Sequence, residues 1–351
     1  MLRSLHLKNM KVFQKARFDL SPGLNVVVGE NGSGKTHFLK SANCIASCLA
    51  ANGKRQSAGA HPSKSGLQAD LAEKIIGVFR PESLGRIVHK GKGRERCHVE
   101  AGFDESSLDL AFSLAPQSKS EVSLEKAPAS WGQTDPVYLP TREILTLYPN
   151  FLSLYEKKYL EFPETYRDLC IHLGSPLERQ EHISPRKKLL ASLEQTMGGS
   201  ITLEKNGRFY FKPPGQAQLE VPLVAEGIRK LAMLAQLVAA GVIQKKGMLF
   251  WDEPDSSLNP KLIARVARFI MEMAGAGVQV FLSTHSLFLL RELEILHNSN
   301  EYQSTPARFF ALHLEKQGLQ VQQGVSMDDL APIAALDEEL SQSDRFLELD
   351  S

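Results

Sequence analysis

Short apolar runs alternate with apolar stripes of helical period along most of the chain. Leu2, Leu5 and Leu7 precede Asn9 and a basic stretch, and Phe18 and Leu20 then share one side, which predicts two short strands. Ser21-Pro22-Gly23 marks a turn. In residues 24–28 the run Val26-Val27-Val28 lacks polar alternation, so a buried strand is predicted that stops at Gly29. From Thr36 onward Phe38, Leu39, Ala42, Ile45, Ala46 and Leu49 recur at helical spacing. Residues 51–68, rich in Gly, Ser, Ala and Lys, predict an exposed loop. Residues 137–139 predict a strand, and residues 144–200 a helical region with Leu145, Leu147, Phe151, Leu152, Leu154 and Tyr155 apolar but no sustained heptads. Strands are predicted again at 209–211 and 219–223, followed by a helix whose apolar face carries Ile228, Leu231, Leu234, Ala235 and Val238. Residues 248–251 and 278–282 read as strands around a helix at 262–273, residues 307–314 and 319–323 as a hairpin about Lys316-Gln317-Gly318, and the tail from Asp328 as helical. Strands alternating with helices imply an α/β fold with a mainly parallel sheet.

Composition narrows the picture. Hydrophobic residues at 42% and charged residues at 23% are globular values and exclude a disordered chain, while 351 residues allow about two average domains. The 41 basic and 40 acidic residues leave a net charge of +1, so any contact with DNA has to be local. One basic run, Arg80, Arg86, Lys90, Lys92, Arg94 and Arg96, has two readings: a solvated hairpin tip, or a contact for nucleic acid or an acidic partner. Cys44, Cys48, Cys97 and Cys170 form neither a disulfide framework nor a CxxC zinc pattern, as expected of reduced thiols in a cytoplasmic protein. No apolar segment approaches about 18 residues, so no membrane span or export signal is expected.

The chemistry is carried by three strand ends. Gly29-Glu30-Asn31-Gly32-Ser33-Gly34-Lys35-Thr36 matches GxxxxGK[ST] between a predicted strand and helix. In that pattern the glycines bring backbone N–H groups to phosphate oxygens at the positive end of the helix, Lys35 faces the β- and γ-phosphates of ATP, and Thr36 is a ligand for Mg²⁺. The strand at 248–251 ends in Asp252-Glu253-Pro254, where Asp252 is suited to hold hydrated Mg²⁺ and Glu253 to orient or deprotonate the attacking water. The strand at 278–282 leads to Ser283-Thr284-His285, whose imidazole is placed to hydrogen-bond a γ-phosphate.

The order P-loop, Asp-Glu-Pro, Asp255-Ser256-Ser257-Leu258-Asn259-Pro260 and Ser283-Thr284-His285 resembles the ABC-type ATPase head. Leu5-His6-Leu7-Lys8-Asn9 with Phe13 is similar to the opening of the soluble branch that includes RecF, the SMC proteins and the OLD-type ATPases of phage defence. The resemblance implies a P-loop NTPase fold in one head: an N-terminal nucleotide-binding lobe over residues 1–140, a helical lobe over 141–224, and residues 225–351 with the remaining motifs. It also implies ATP and Mg²⁺ as cofactors, a head-to-tail homodimer or higher oligomer, and a signature segment that completes the partner's site. By position that segment is Val224-Ala225-Glu226-Gly227-Ile228-Arg229-Lys230, which keeps Gly227 but has Ala225 and Glu226 in place of the usual serine and first glycine. Arg229 or Lys230 stands ready as the substitute positive contact, the alternative being that they solvate a helix start. Pro140-Thr141-Arg142-Glu143 takes the place of the Q-loop without a glutamine, with Glu143 or Arg142 in its role. Long heptad arms and an appended nuclease are absent, so an SMC-like tether and a full OLD nuclease are not expected. The function implied is a cytoplasmic ATPase that gates an effector, a nuclease or toxin, in a phage-defence or toxin–antitoxin-like complex. The alternative is a RecF-like repair ATPase that clamps duplex DNA.

Overall fold

The structure is a computed structural model that describes residues 1–59, 63–89, 95–177, 185–315 and 318–330, with residues 338, 341, 342, 345 and 346 of the remainder. Strands β1 (Leu2–Met10) and β2 (Phe13–Asp19) form a hairpin that turns at Lys11 and Val12, with Lys11 at φ 49°. After the Ser21-Pro22-Gly23 turn, β3 (Leu24–Gly29) runs into the glycine-rich loop and α1 (Lys35–Ser57) follows. Helix α2 (Lys64–Phe79) starts on Ser63, whose hydroxyl accepts from the Gly66 N–H. Strands β4 (Cys97–Phe103), β5 (Leu110–Leu114) and β6 (Ser123–Lys126) precede β7 (Val137–Leu139), and α3 (Tyr148–Glu156), α4 (Glu164–Leu173) and α5 (Pro185–Met197) make up the helical region. Then come β8 (Ser200–Leu203), β9 (Phe209–Lys212), β10 (Leu219–Glu220), α6 (Glu226–Ala239), β11 (Met248–Asp252), α7 (Pro260–Gly275), β12 (Gln279–Thr284), α8 (Leu287–His297), β13 (Ala307–Glu315) and β14 (Gly318–Gly324).

The central sheet has the order β14-β13-β3-β12-β11-β7 and is parallel except between β13 and β14. Strands from both ends of the sequence are interleaved in it, so residues 1–140 and 225–351 share one sheet. The valine run of β3 is explained by this position, because both of its faces are covered. Val26 and Val28 pack into a core built by α6, α7 and α8, whereas Val27 packs into a second core with Phe38, Leu39 and Ala42 of α1. A five-stranded antiparallel sheet, β2-β1-β4-β5-β6, covers α1 from the other side through Leu5, Leu7, Phe18 and Phe112. A small antiparallel sheet, β10-β9-β8, adjoins the helical region.

Several expectations change. The loop expected at 51–68 is mostly helix: α1 continues to Ser57 because Asn52 is buried and bonds to Cys48 O and Asp70, and Gly53 lies against Gly132. The helical region holds three helices, and residues 178–184 lie outside those described. Residues 219–223 form two strand residues and a short 3-10 turn. Of the basic run, Arg80 caps α2, Arg86 pairs with Glu82 beside a 3-10 turn, and Arg96 donates to Ser113 and Ser123. Lys90, Lys92 and Arg94 lie outside the described residues, as do Lys316, Gln317 and most of the tail expected from Asp328.

Candidate active site

The loop from Gly29 to Thr36 is held open by backbone constraints. Gly34 sits at φ 102°, and a Cβ there would come within 2.6 Å of Val12 Cγ2 and 2.9 Å of Phe13 Cζ, so the β1–β2 turn closes over the loop only because no side chain intervenes. At Gly29 the same atom would lie 2.6 Å from Leu312 O on β13. Helix α1 begins with no side-chain cap and no acidic residue in its first turn, which leaves its positive end without a countercharge of its own. The Lys35 ammonium folds back to donate to Gly29 O at 2.7 Å and Glu30 O at 2.9 Å. Burial lowers its pKa, opposed mainly by the Glu253 and Asp252 carboxylates. Ser33 is buried and its hydroxyl has no hydrogen-bond partner. An uncapped helix end, a lysine resting on neutral carbonyls and an orphaned buried hydroxyl all fit a polyphosphate in this loop.

The second half of the site comes from β11 and β12. Their register sets Asp252 beside Ser283, whose hydroxyl donates to Asp252 Oδ1. Thr36 of α1 reaches the same carboxylate, with its Oγ1 at 2.9 Å from Oδ2 and 3.1 Å from Oδ1. A carboxylate only accepts, so the Thr36 proton points at Asp252 and its lone pairs face away, as a ligand for a cation requires. Glu253 adopts φ 50° where the chain leaves the strand, and its N–H donates to Ser283 O at 3.0 Å. His285 is half exposed, with Nδ1 3.5 Å from Glu253 Oε1. Thr284 donates to Asp255 Oδ1 at 2.6 Å, tying the segment after Glu253 to the end of β12. Lys35, Thr36, Asp252, Glu253 and His285 are thus gathered at the carboxyl ends of parallel strands, as the sequence implies.

The signature-like segment is engaged within its own chain. A Cβ on Gly227 would lie 2.7 Å from Leu258 Cδ2 and 3.0 Å from Ser257 O, so the glycine is needed for packing against the turn before α7. Arg229 does not solvate the helix start. Its guanidinium pairs with Glu143 at 2.8 Å and donates to Val224 O at 2.7 Å. Lys230 is buried and donates to Ser256 O at 2.8 Å and to the Ser256 hydroxyl. Of the two candidates in the Q-loop position, Glu143 is the buried, paired one, and Arg142 is exposed. Asn259 caps α7 by accepting from Leu262 N at 3.0 Å. The linear motifs did not reveal Tyr138, whose hydroxyl lies 3.4 Å from Asp252 Oδ2. A polar tip inside an otherwise apolar strand was the available signal.

A family model described as "AAA domain, putative AbiEii toxin, Type IV TA system" matches residues 114–291, just over half of the chain. The chain belongs to this AAA-domain family. A second model, described as "AAA domain", matches residues 4–110 of the AAA-domain chain, so the loop and the Asp252-Glu253 strand fall in different matches. Among solved structures, the AAA-domain chain is similar to an SmcHead bound to the C-winged helix domain of ScpA, at 15% identity and a TM-score of 0.57 over 92% of this chain and 97% of that one. It is also similar to an Smc head domain with an extended coiled coil bound to the C-terminal domain of ScpA derived from Pyrococcus furiosus, at 14% identity and a TM-score of 0.51 over 99% and 98% of the two chains. The fold is therefore that of a P-loop ATPase head like those of the SMC proteins. No match to a curated protein reaches significance. Among the described residues of this AAA-domain chain, no helix is long and apolar enough to cross a membrane.

Proposed function

We propose that this chain is an ATPase that binds MgATP on the Gly29–Thr36 loop, hydrolyses it, and through its nucleotide state gates a partner effector, a nuclease or toxin, in a phage-defence or toxin–antitoxin-like complex. The observation that carries the enzymatic part is the 2.9 Å contact between Thr36 and Asp252, which joins two motifs 216 residues apart in one site. The backbone N–H groups from Gly29 to Gly34 and the Lys35 ammonium receive the phosphates, Lys35 exchanging its carbonyl partners for a stronger anionic acceptor. Thr36 and Asp252 would hold Mg²⁺, which when bound neutralises charge on the phosphate oxygens. Glu253 orients or deprotonates the water, and His285, beside it, is placed to donate to the γ-phosphate. The family description, with its toxin and toxin–antitoxin terms, supports the effector part, and so do the two solved heads bound to domains of ScpA.

Purified protein provides the test. Lys35→Ala should lose the thermal stabilisation that MgATP gives the parent, and Glu253→Gln should keep that stabilisation while hydrolysis falls by about a hundredfold or more. Undiminished stabilisation of Lys35→Ala by saturating MgATP, or parental turnover by Glu253→Gln, would remove the basis for the assignment.

One observation favours the DNA-clamping alternative. On the outer face of the antiparallel sheet Lys8 stands in register with Lys15, and like charges set opposite one another are unfavourable without an anionic partner. A gel shift with duplex DNA that weakens steeply with salt would select that reading.

A further inference from the structure

We infer that Tyr138 is a positioning residue for Asp252, holding the carboxylate in the orientation that receives Mg²⁺; this rests on the MgATP reading above. The placement follows from strand register. Strand β7 is a three-residue edge strand paired in parallel with β11, and Tyr138 lies opposite Phe250. Asp252 is two residues beyond Phe250 and so projects from the same face of the sheet. From Tyr138 the carboxylate is a diagonal neighbour one pleat further on, within reach of a long aromatic side chain. The ring is buried in the α1-side core beside Phe250 and Phe281, and its hydroxyl ends 3.4 Å from Asp252 Oδ2.

Asp252 is consequently held from three directions. Ser283 donates from the neighbouring strand β12, Thr36 from helix α1, and Tyr138 from strand β7 on the opposite side to Ser283. Ser283 contacts Oδ1 alone and Tyr138 contacts Oδ2 alone, whereas Thr36 lies within reach of both oxygens. Two single-oxygen donors on opposite sides fix the rotation of the carboxylate about its final torsion, which Thr36 alone leaves free. With Tyr138 and Asp252 only 4% and 6% exposed, water cannot take over either role cheaply. The 3.4 Å separation is long for an O–H···O bond, which fits a donor that steers a carboxylate already bonded twice.

The position of Tyr138 in the chain adds a consequence. It is followed by Pro140-Thr141-Arg142-Glu143, and Glu143 holds Arg229 on α6. A displacement of α6 transmitted along this connection would therefore reach the orientation of Asp252 through Tyr138, without moving the phosphate loop.

Tyr138→Phe removes one oxygen and leaves the ring in its core. The measurement is thermal stabilisation by adenylyl imidodiphosphate, first in EDTA and then across a Mg²⁺ titration, for the parent and the variant. The metal-free melting temperature should fall only slightly, by the loss of one long hydrogen bond, and the nucleotide's added stabilisation in EDTA should match the parent, while the Mg²⁺ concentration for half-maximal added stabilisation rises severalfold. A packing role would lower the metal-free melting temperature and leave the Mg²⁺ midpoint in place. A midpoint within twofold of the parent's overturns the assignment of Tyr138 alone. Absence of any Mg²⁺-dependent response in the parent overturns the MgATP reading and this one with it.

Discussion

Lys35 and Lys230 are both buried ammonium groups, and each meets neutral oxygens: Lys35 those of Gly29 and Glu30, Lys230 those of Ser256. Burial lowers both pKa values, with nearby carboxylates opposing it. An ammonium on neutral acceptors keeps the capacity to trade them for an anion, which Lys35 needs and which Lys230 expresses only if Ser256 moves. The buried thiols behave in the opposite sense. Burial pushes Cys44 and Cys97 up to about 12 from an ordinary 9.0, so above pH 9 the unfolded chain releases these protons while the folded chain keeps them. The unfolded state then binds fewer protons, and stability falls as pH rises through that window. Urea melts at pH 8 and pH 10 should show a loss of roughly 1.4 kcal/mol per such thiol. The Cys44→Ala protein should show a smaller pH 8-to-10 loss by that amount, and an unchanged loss would mean that the thiol is not sealed from solvent.

Between elements, the Glu143–Arg229 pair fastens the connection after β7 to the start of α6. Glu143 is 5% exposed and Arg229 18%, so removal of one partner strands a charge with little water to receive it. Arg229→Met alone should cost about 3–5 kcal/mol, and Glu143→Gln with Arg229→Met should recover a substantial part of it. Equal losses for single and double variants, measured by chemical denaturation, would show that the pair is not coupled. This link illustrates what a linear reading can and cannot reach. Lys35, Thr36, Asp252, Glu253 and His285 lie in contiguous motifs, and β3, β11 and β12 in uninterrupted apolar runs, so both were legible. Tyr138 and the Glu143–Arg229 pair were not, because they depend on register and packing between segments tens of residues apart. The length of α1 was hidden by Gly53, which reads as a helix breaker although its bare Cα is required for contact with Gly132. In β4 the alternation of Cys97, Val99, Ala101 and Phe103 is a period-two signal, but His98 and Glu100 between them extend the neighbouring charged run and obscure it.

For the whole molecule, a single head presents donors to a bound γ-phosphate from one side only, so slow hydrolysis by the isolated chain and a faster rate on assembly are expected. Gly227 packs against Ser257 and Leu258, which makes substitution there a test of folding and not of assembly. Ala225 is exposed at the N-cap of α6, where an added carboxylate does not burden the fold. Lys35→Ala chains and Ala225→Glu chains, each inactive in a head-to-tail pair, should regain part of the parental rate when mixed, because one composite site stays intact. Mixed oligomers that form and remain inactive would exclude that arrangement. The interleaved central sheet also sets a schedule for biosynthesis. Strand β3 is flanked by β12 and β13, and the earlier of these begins at Gln279, about 250 residues after Gly29. At about 5–20 residues per second, a ribosome leaves the valine strand without either neighbour for roughly 12–50 s. During that interval the phosphate loop has been made, but for most of it Asp252 and Ser283 have not, so the MgATP site proposed above stays incomplete until the final third of the chain emerges.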